Sequence, residues 1–166
     1  MYRKIADFII DWKVEEAATL KIFSKISDEK MSVKVADKIR TLGQMAWHIT
    51  QTLTEMPSKA GIVKEDSLEH ESLPATFKDI TGKYKKFSKK LVDSLEKKWK
   101  DSDLPKVIEL YGEKWERGKV LSVLINHQIH HRAQMIAVMR MQNIEVPGIY
   151  GPAREDWAKF GMPAPE

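Results

Sequence analysis

Apolar residues that recur every three or four positions over long stretches constrain this chain more than any other feature. Ile5, Phe8, Ile9, Trp12, Glu16, Leu20 and Phe23 step this way with one polar interruption, which predicts an amphipathic helix from about Tyr2 to Ile26. A polar connector follows, from Ser27 to Arg40. Leu42, Met45, Ile49, Leu53 and Met56 form the stripe of a second helix; Thr41 and Gln44 have the spacing of a capping box at its start, and Pro57 stops it. Ser58 to Ser72 reads as a loop, and Pro74 suits the first turn of a third helix. Phe77, Ile80, Tyr84, Phe87, Leu91 and Leu95 mark its buried face, and it runs to about Trp99. Val107 to Trp115 alternates partly around Gly112, as a small hairpin or an irregular insertion would. The fourth helix spans about Lys119 to Gln142, with Gly118 before it and Asn143 as its stop. The tail holds Gly148, Gly151, Pro152, Gly161, Pro163 and Pro165 and is expected to be mostly irregular.

Four such helices predict an all-α fold, a four-helix bundle formed as a single domain over residues 1–166. Two connectors are long for a simple up-down bundle, so one crossover is expected and the topology stays open. The absence of Cys excludes disulfides, thiolate metal sites and a Cys nucleophile. The formal charge of +4 permits an anionic partner without demanding one. Arg3, Lys4, Asp7 and Asp11 interrupt the apolar residues of the first twelve, and no run approaches the roughly 18 to 20 apolar residues of a membrane span. A cytoplasmic protein that does not enter the membrane is the expectation.

The chemistry concentrates on histidines. His127 and His131 are four apart, so their side chains stack on one face of the fourth helix, continued by Val120, Leu124, Gln134 and Val138. On the second helix His48 lies along the side of Met45 and Thr52, where a bundle can bring it opposite the pair. Three imidazoles on one divalent ion would leave a coordination position open, as catalytic sites do. Such a site suits Zn²⁺ or Ni²⁺ rather than Ca²⁺ or Mg²⁺. The alternative is hydrogen-bonded core histidines, and spacing alone does not separate the two. A metalloprotease is excluded, because the Glu of H-E-x-x-H is replaced by Gln128, which cannot act as a base. His130 falls off the shared direction and reads as a supporting or surface residue; His70 reads as solvated in a loop. Lys83, Lys85, Lys86, Lys89, Lys90, Lys97, Lys98 and Lys100 could face phosphates, but they spread around a polar arc without Arg–aromatic alternation. A solvated flank is the preferred reading, and a nucleic acid is not the expected partner. Trp47, Trp99, Trp115 and Trp157 are read as packing residues, with Trp47 also placed to wall a pocket beside His48.

Three stretches carry a family resemblance: Leu42-Gly43-Gln44-Met45-Ala46-Trp47-His48-Ile49, Asn126-His127-Gln128-Ile129-His130-His131-Arg132-Ala133-Gln134, and Val146-Pro147-Gly148-Ile149-Tyr150-Gly151-Pro152. With them the chain resembles the DinB-like (DinB/YfiT) metalloprotein superfamily along nearly its whole length. Ala133 departs from the Gly frequent in relatives and leaves the ligand positions untouched. The resemblance implies a four-helix bundle whose metal is held by His48, His127 and His131, and it implies frequent homodimers. Members include S-transferases and isomerases that use low-molecular-weight thiols such as bacillithiol or mycothiol, members without an assigned activity, and members induced by DNA damage.

The leading expectation is therefore a metal-dependent thiol S-transferase-like enzyme with a small-molecule substrate and a low-molecular-weight thiol as co-substrate. Arg132 and Gln134 are candidates for orienting ligands or substrate, on adjacency alone. The rivals are a metal-dependent hydrolase using metal-activated water, disfavoured because no carboxylate base accompanies the ligands in sequence, and a non-enzymatic DNA-damage-response or metal-binding protein.

Overall fold

Residues 1–165 are described by a computed structural model, in which apolar stripes become the inner faces of long helices. Helix α1 (Ile5–Phe23) buries Ile5, Phe8, Ile9 and Trp12, and the indole N–H of Trp12 donates to Ser88 Oγ at 2.9 Å. One element of its stripe differs from expectation. The buried polar residue is Glu15 rather than Glu16, followed by Thr19, and Leu20 is only half-buried. The reason is a partner on another helix, described below.

The connector after α1 is not uniformly irregular. A single-turn helix α2 (Asp28–Met31) buries Met31 against the next helix. Gly43 permits this approach: a Cβ there would stand 2.5 Å from Met31 Cγ and 3.0 Å from its carbonyl oxygen. Helix α3 (Leu42–Lys59) opens with the expected capping box, in which Thr41 N–H donates to Gln44 Oε1 at 2.9 Å and Gln44 N–H to Thr41 Oγ1 at 3.3 Å. Pro57 does not stop it. The helix continues to Lys59, because a proline in the last turn forfeits one backbone bond while Met56, Ala60 and Ile62 stay buried around it. Pro74 likewise lies outside the helix it was expected to start. Thr76 caps α4 (Phe77–Lys98), accepting from Asp79 N–H at 3.1 Å, and Asp28 Oδ1 accepts from Phe77 N–H at 2.6 Å. The α4 stripe is buried as read, and among its lysines Lys83 pairs with Glu71 and Lys89 with Asp93 on the solvent side.

The uncertain insertion is a hairpin. Strands β1 (Val107–Leu110) and β2 (Glu113–Glu116) pair antiparallel, Ile108 opposite Trp115 and Leu110 opposite Glu113. Tyr111 and Gly112 both have positive φ, 54° and 78°, as a two-residue turn matched to strand twist requires. Helix α5 (Arg117–Met141) follows, and Asn143, at φ 56°, ends it in the left-handed conformation. The tail contains one further 3₁₀ segment, Arg154–Phe160.

Helices α1, α3, α4 and α5 form the bundle around one apolar core. Helix α3 packs on α4 and α5, and α1 packs on the same two, so α1 lies diagonal to α3 and α4 diagonal to α5. Both long connections, α1 to α3 and α4 to α5, therefore cross the bundle diagonally, one more crossing than expected. Among the described residues no helix is long and apolar enough to cross a membrane.

Candidate metal centre

The site is built where α3 and α5 face one another. Met45 and Val138 line one cavity, and Gln128 reaches Ile49 and Thr52, so the two helices run antiparallel with His48 between these contacts. Gln128, at the position where a metalloprotease keeps its glutamate, is fully buried. Its amide donates to Ile49 O (3.2 Å) and Thr52 Oγ1 (3.3 Å) and accepts from Tyr84 O–H (3.2 Å), tying α5 to α3 and α4. This fixes the rotation of α5, and with it the direction of the residues one turn away.

The expected convergence in space is present. One ligand atom from each of His48, His127 and His131 lies within 4.8 Å of the others. The Nε2 atoms of His127 and His131 are 3.1 Å apart. Two imidazoles on one Zn²⁺ at about 2.05 Å in tetrahedral geometry would have nitrogens about 3.3 Å apart, so the spacing suits a shared cation. The His48 ring sits edge-on to that of His131, with centroids 4.5 Å apart. Gln134 Oε1 accepts from His131 Nδ1 at 2.8 Å, which places the proton on Nδ1 and leaves Nε2 with a free lone pair. The Gln134 amide nitrogen in turn donates to His130 Nε2 at 3.0 Å. His127 Nδ1, the ring nitrogen away from the His131 contact, is buried without a hydrogen-bond partner.

Burial also keeps these rings neutral. It is the main cause that lowers His48 and His127 to about 4, with repulsion from the neighbouring His131 and from Arg40 adding to it; Glu55 opposes at His48. His131 is lowered by burial against the opposing hydrogen bond from Gln134. Near neutral pH all three therefore offer lone pairs. The residues fit a divalent transition metal: neutral nitrogen donors that converge, and a fixed tautomer at His131.

The remaining candidates scatter. His130 is exposed and reaches the cluster only through Gln134. Trp47 is buried and donates to Glu71 O at 3.3 Å, holding the loop after α3 against the helix. His70 is exposed. Arg132 points the other way, toward α1. Its guanidinium donates to Glu15 O and Thr19 Oγ1, both at 3.1 Å, to the Glu15 carboxylate and to the Tyr150 hydroxyl. It makes no hydrogen bond to any of the three imidazoles.

The structure adds residues that the sequence did not single out. A cavity of about 280 Å³ opens beside His48, lined also by Thr52 and by Glu55, Asp66 and Glu69. Carboxylates therefore do stand near the cluster. Glu55 lies seven residues after His48, two turns along one helix face, which was a readable signal; Asp66 and Glu69 arrive from a loop, which was not. Tyr111, at the hairpin turn, donates to Glu55 at 2.9 Å, and Lys59 pairs with the same carboxylate.

The comparisons agree with this architecture. The family model described as DinB family matches residues 1–166. The chain is 34% identical to the uncharacterized protein YrdA of Bacillus subtilis (strain 168), over 100% of this chain and 99% of that one. A crystal structure of a DinB-like protein from Bacillus cereus ATCC 10987 superposes with a TM-score of 0.81 at 33% identity, covering 90% of this chain and 100% of the other. The DinB-like protein YjoA of Bacillus subtilis, at 18% identity, shares the fold with a TM-score of 0.70 over 89% of this chain and 99% of its own. With its four-helix bundle, its three clustered histidines and a match along its full length, the chain belongs to the DinB family.

Proposed function

We propose that this chain is a metal-dependent enzyme of the thiol S-transferase type, with Zn²⁺ or Ni²⁺ held by His48, His127 and His131. The observation that carries the reading is the approach of the His127 and His131 Nε2 atoms to 3.1 Å beside His48, with Gln134 holding the His131 tautomer. Bound there, the ion would supply Lewis acidity that lowers the pKa of a thiol and favours its thiolate. Three neutral imidazoles leave a divalent charge uncompensated, which suits an anionic sulfur. The chain has no Cys, so the nucleophile comes from a low-molecular-weight thiol. Its sulfur forms a bond to an electrophilic carbon as the leaving group departs with the electron pair. Gln134 orients His131, and Gln128 fixes the helix that carries both ligands of α5.

A hydrolase is the second reading, favoured by the carboxylates of Glu55, Asp66 and Glu69 in the cavity beside His48. The test is conjugation of a panel of small thiols to electrophilic substrates by anaerobically purified, metal-loaded protein, with ester and amide hydrolysis measured without thiol. The expected result is turnover that requires both thiol and metal. Thiol-independent hydrolysis would replace the transferase by the hydrolase, and inactivity across the panel would remove the transferase while leaving the metal site standing. We also propose that two copies pair through α1, which exposes Ile10 and Val14 one turn apart. Sedimentation as a 19.2 kDa species alone would remove that pairing.

A further inference from the structure

The groove between α3 and α5 is chemically polarised about the three imidazoles. Glu55, Asp66 and Glu69 line the cavity on the side toward the end of α3, with Glu55 about 10 Å along the helix from His48 by its rise per residue. On the side toward its start lies a different cavity, of about 480 Å³, lined by Lys38, Arg40, Met45, Gln134, Val138 and Met141 among others. Its floor is apolar, since Met45 and Val138 are buried there, and its rim exposes Met141. Among the described residues neither Lys38 nor Arg40 forms an ion pair. Gln134 joins this cavity to the metal centre through its 2.8 Å contact with His131.

A floor of thioether and aliphatic carbon under two unpaired cations selects for a molecule with matching halves. A neutral apolar ligand would gain nothing from the two exposed cations, and an amine would be repelled by them. The acidic cavity beyond His48 repels anions, so an anion entering the groove is directed to the Arg40 side. We propose that this cavity binds a small organic anion, its carboxylate or phosphate held by Arg40 and Lys38 and its apolar stem lying over Met45 and Val138, with the far end reaching Gln134 and the imidazoles. Its assignment as the subsite of a reaction partner rests on the thiol-transfer reading above; the binding itself does not.

The experiment uses ¹⁵N-labelled full-length protein, freed of metal with EDTA, titrated in parallel with sodium hexanoate, hexyl phosphate and hexylamine. Hexanoate is expected to give saturable shifts at the amides of Arg40, Met45, Gln134 and Met141, and hexylamine none. The exposed pair Lys38→Gln and Arg40→Gln, combined, is expected to weaken hexanoate about tenfold. Tighter binding of hexyl phosphate at the same amides also supports the site and identifies the anion as a phosphate monoester. Absence of saturable shifts with either anion, or unchanged affinity in the double variant, overturns the proposal. Because the probe is read without metal, a chain that fails to bind metal loses the function proposed above and still answers this question.

Discussion

His131 and Arg132 are neighbours on α5, and each belongs to a buried polar cluster, yet the two clusters are built on opposite terms. Arg132 faces α1, where every polar group it meets answers it. Glu15 supplies the counter-charge, Thr19 and the Glu15 carbonyl accept, and Tyr150 from the tail closes the ring by donating to Glu15 Oε2 at 2.7 Å. His131 faces α3, where three like groups crowd together, two nitrogens approach to 3.1 Å and His127 Nδ1 finds no partner. A buried cluster that completes itself is a structural tie. One that gathers nitrogen donors within reach of one another is suited to hold a cation.

The sharpest way to break this comparison is to remove one member from each side. Arg132→Met strands the Glu15 carboxylate in the core and is expected to cost about 3–5 kcal/mol in urea unfolding, with metal content per folded chain unchanged. A loss below about 1 kcal/mol would mean that the network is not a tie. Gln134→Ala frees the His131 ring and is expected to weaken metal binding about 10–100-fold, read by competition with a chelating dye, with little change in unfolding of the metal-free chain. Unaltered affinity would show that Gln134 does not set the ligand.

The two clusters should also fail at opposite ends of the pH scale. His48 and His127 titrate near 4 in the folded metal-free chain, against 6.5 ordinarily. Between those values the unfolded chain binds protons that the folded chain refuses, so stability is complete above about pH 6.5 and declines as pH falls toward 4. Tyr150 is raised from 10 to about 12, by burial first and then by its hydrogen bond to Glu15. Its contribution is complete below pH 10 and is lost as pH rises toward 12. Unfolding across pH should therefore show an acid limb flattened by His48→Phe and an alkaline limb flattened by Tyr150→Phe; the reverse assignment, or no change in either limb, contradicts the picture.

Local rules explain what the sequence makes readable. The Thr41–Gln44 box, the α4 stripe and the Asn143 stop each depend on residues within a few positions, and each forms as expected. His127 and His131 share a face by helical periodicity alone. His48 could be placed on a bundle-facing side by periodicity, but its approach to the pair depends on how α3 and α5 pack, and only the family resemblance assigned it as a ligand. Glu15 is the clearest case of what stays hidden. Its neighbour Glu16 fits the apolar spacing better, yet Glu15 is buried to meet an arginine 117 residues away. Pro57 was misleading in the opposite sense, a strong local breaker outweighed by the burial of Met56, Ala60 and Ile62.

One ion shared by three rings is a property that metal content measures directly. The purified chain, equilibrated with Zn²⁺ or Ni²⁺ and desalted, should carry about one ion by mass spectrometry of the digested sample, with nitrogen-only protein ligands in X-ray absorption. His48→Ala, His127→Ala and His131→Ala should each bring the content close to zero while Arg132→Met does not. Wild-type protein that retains no ion, or histidine variants that retain as much as wild type, would contradict it.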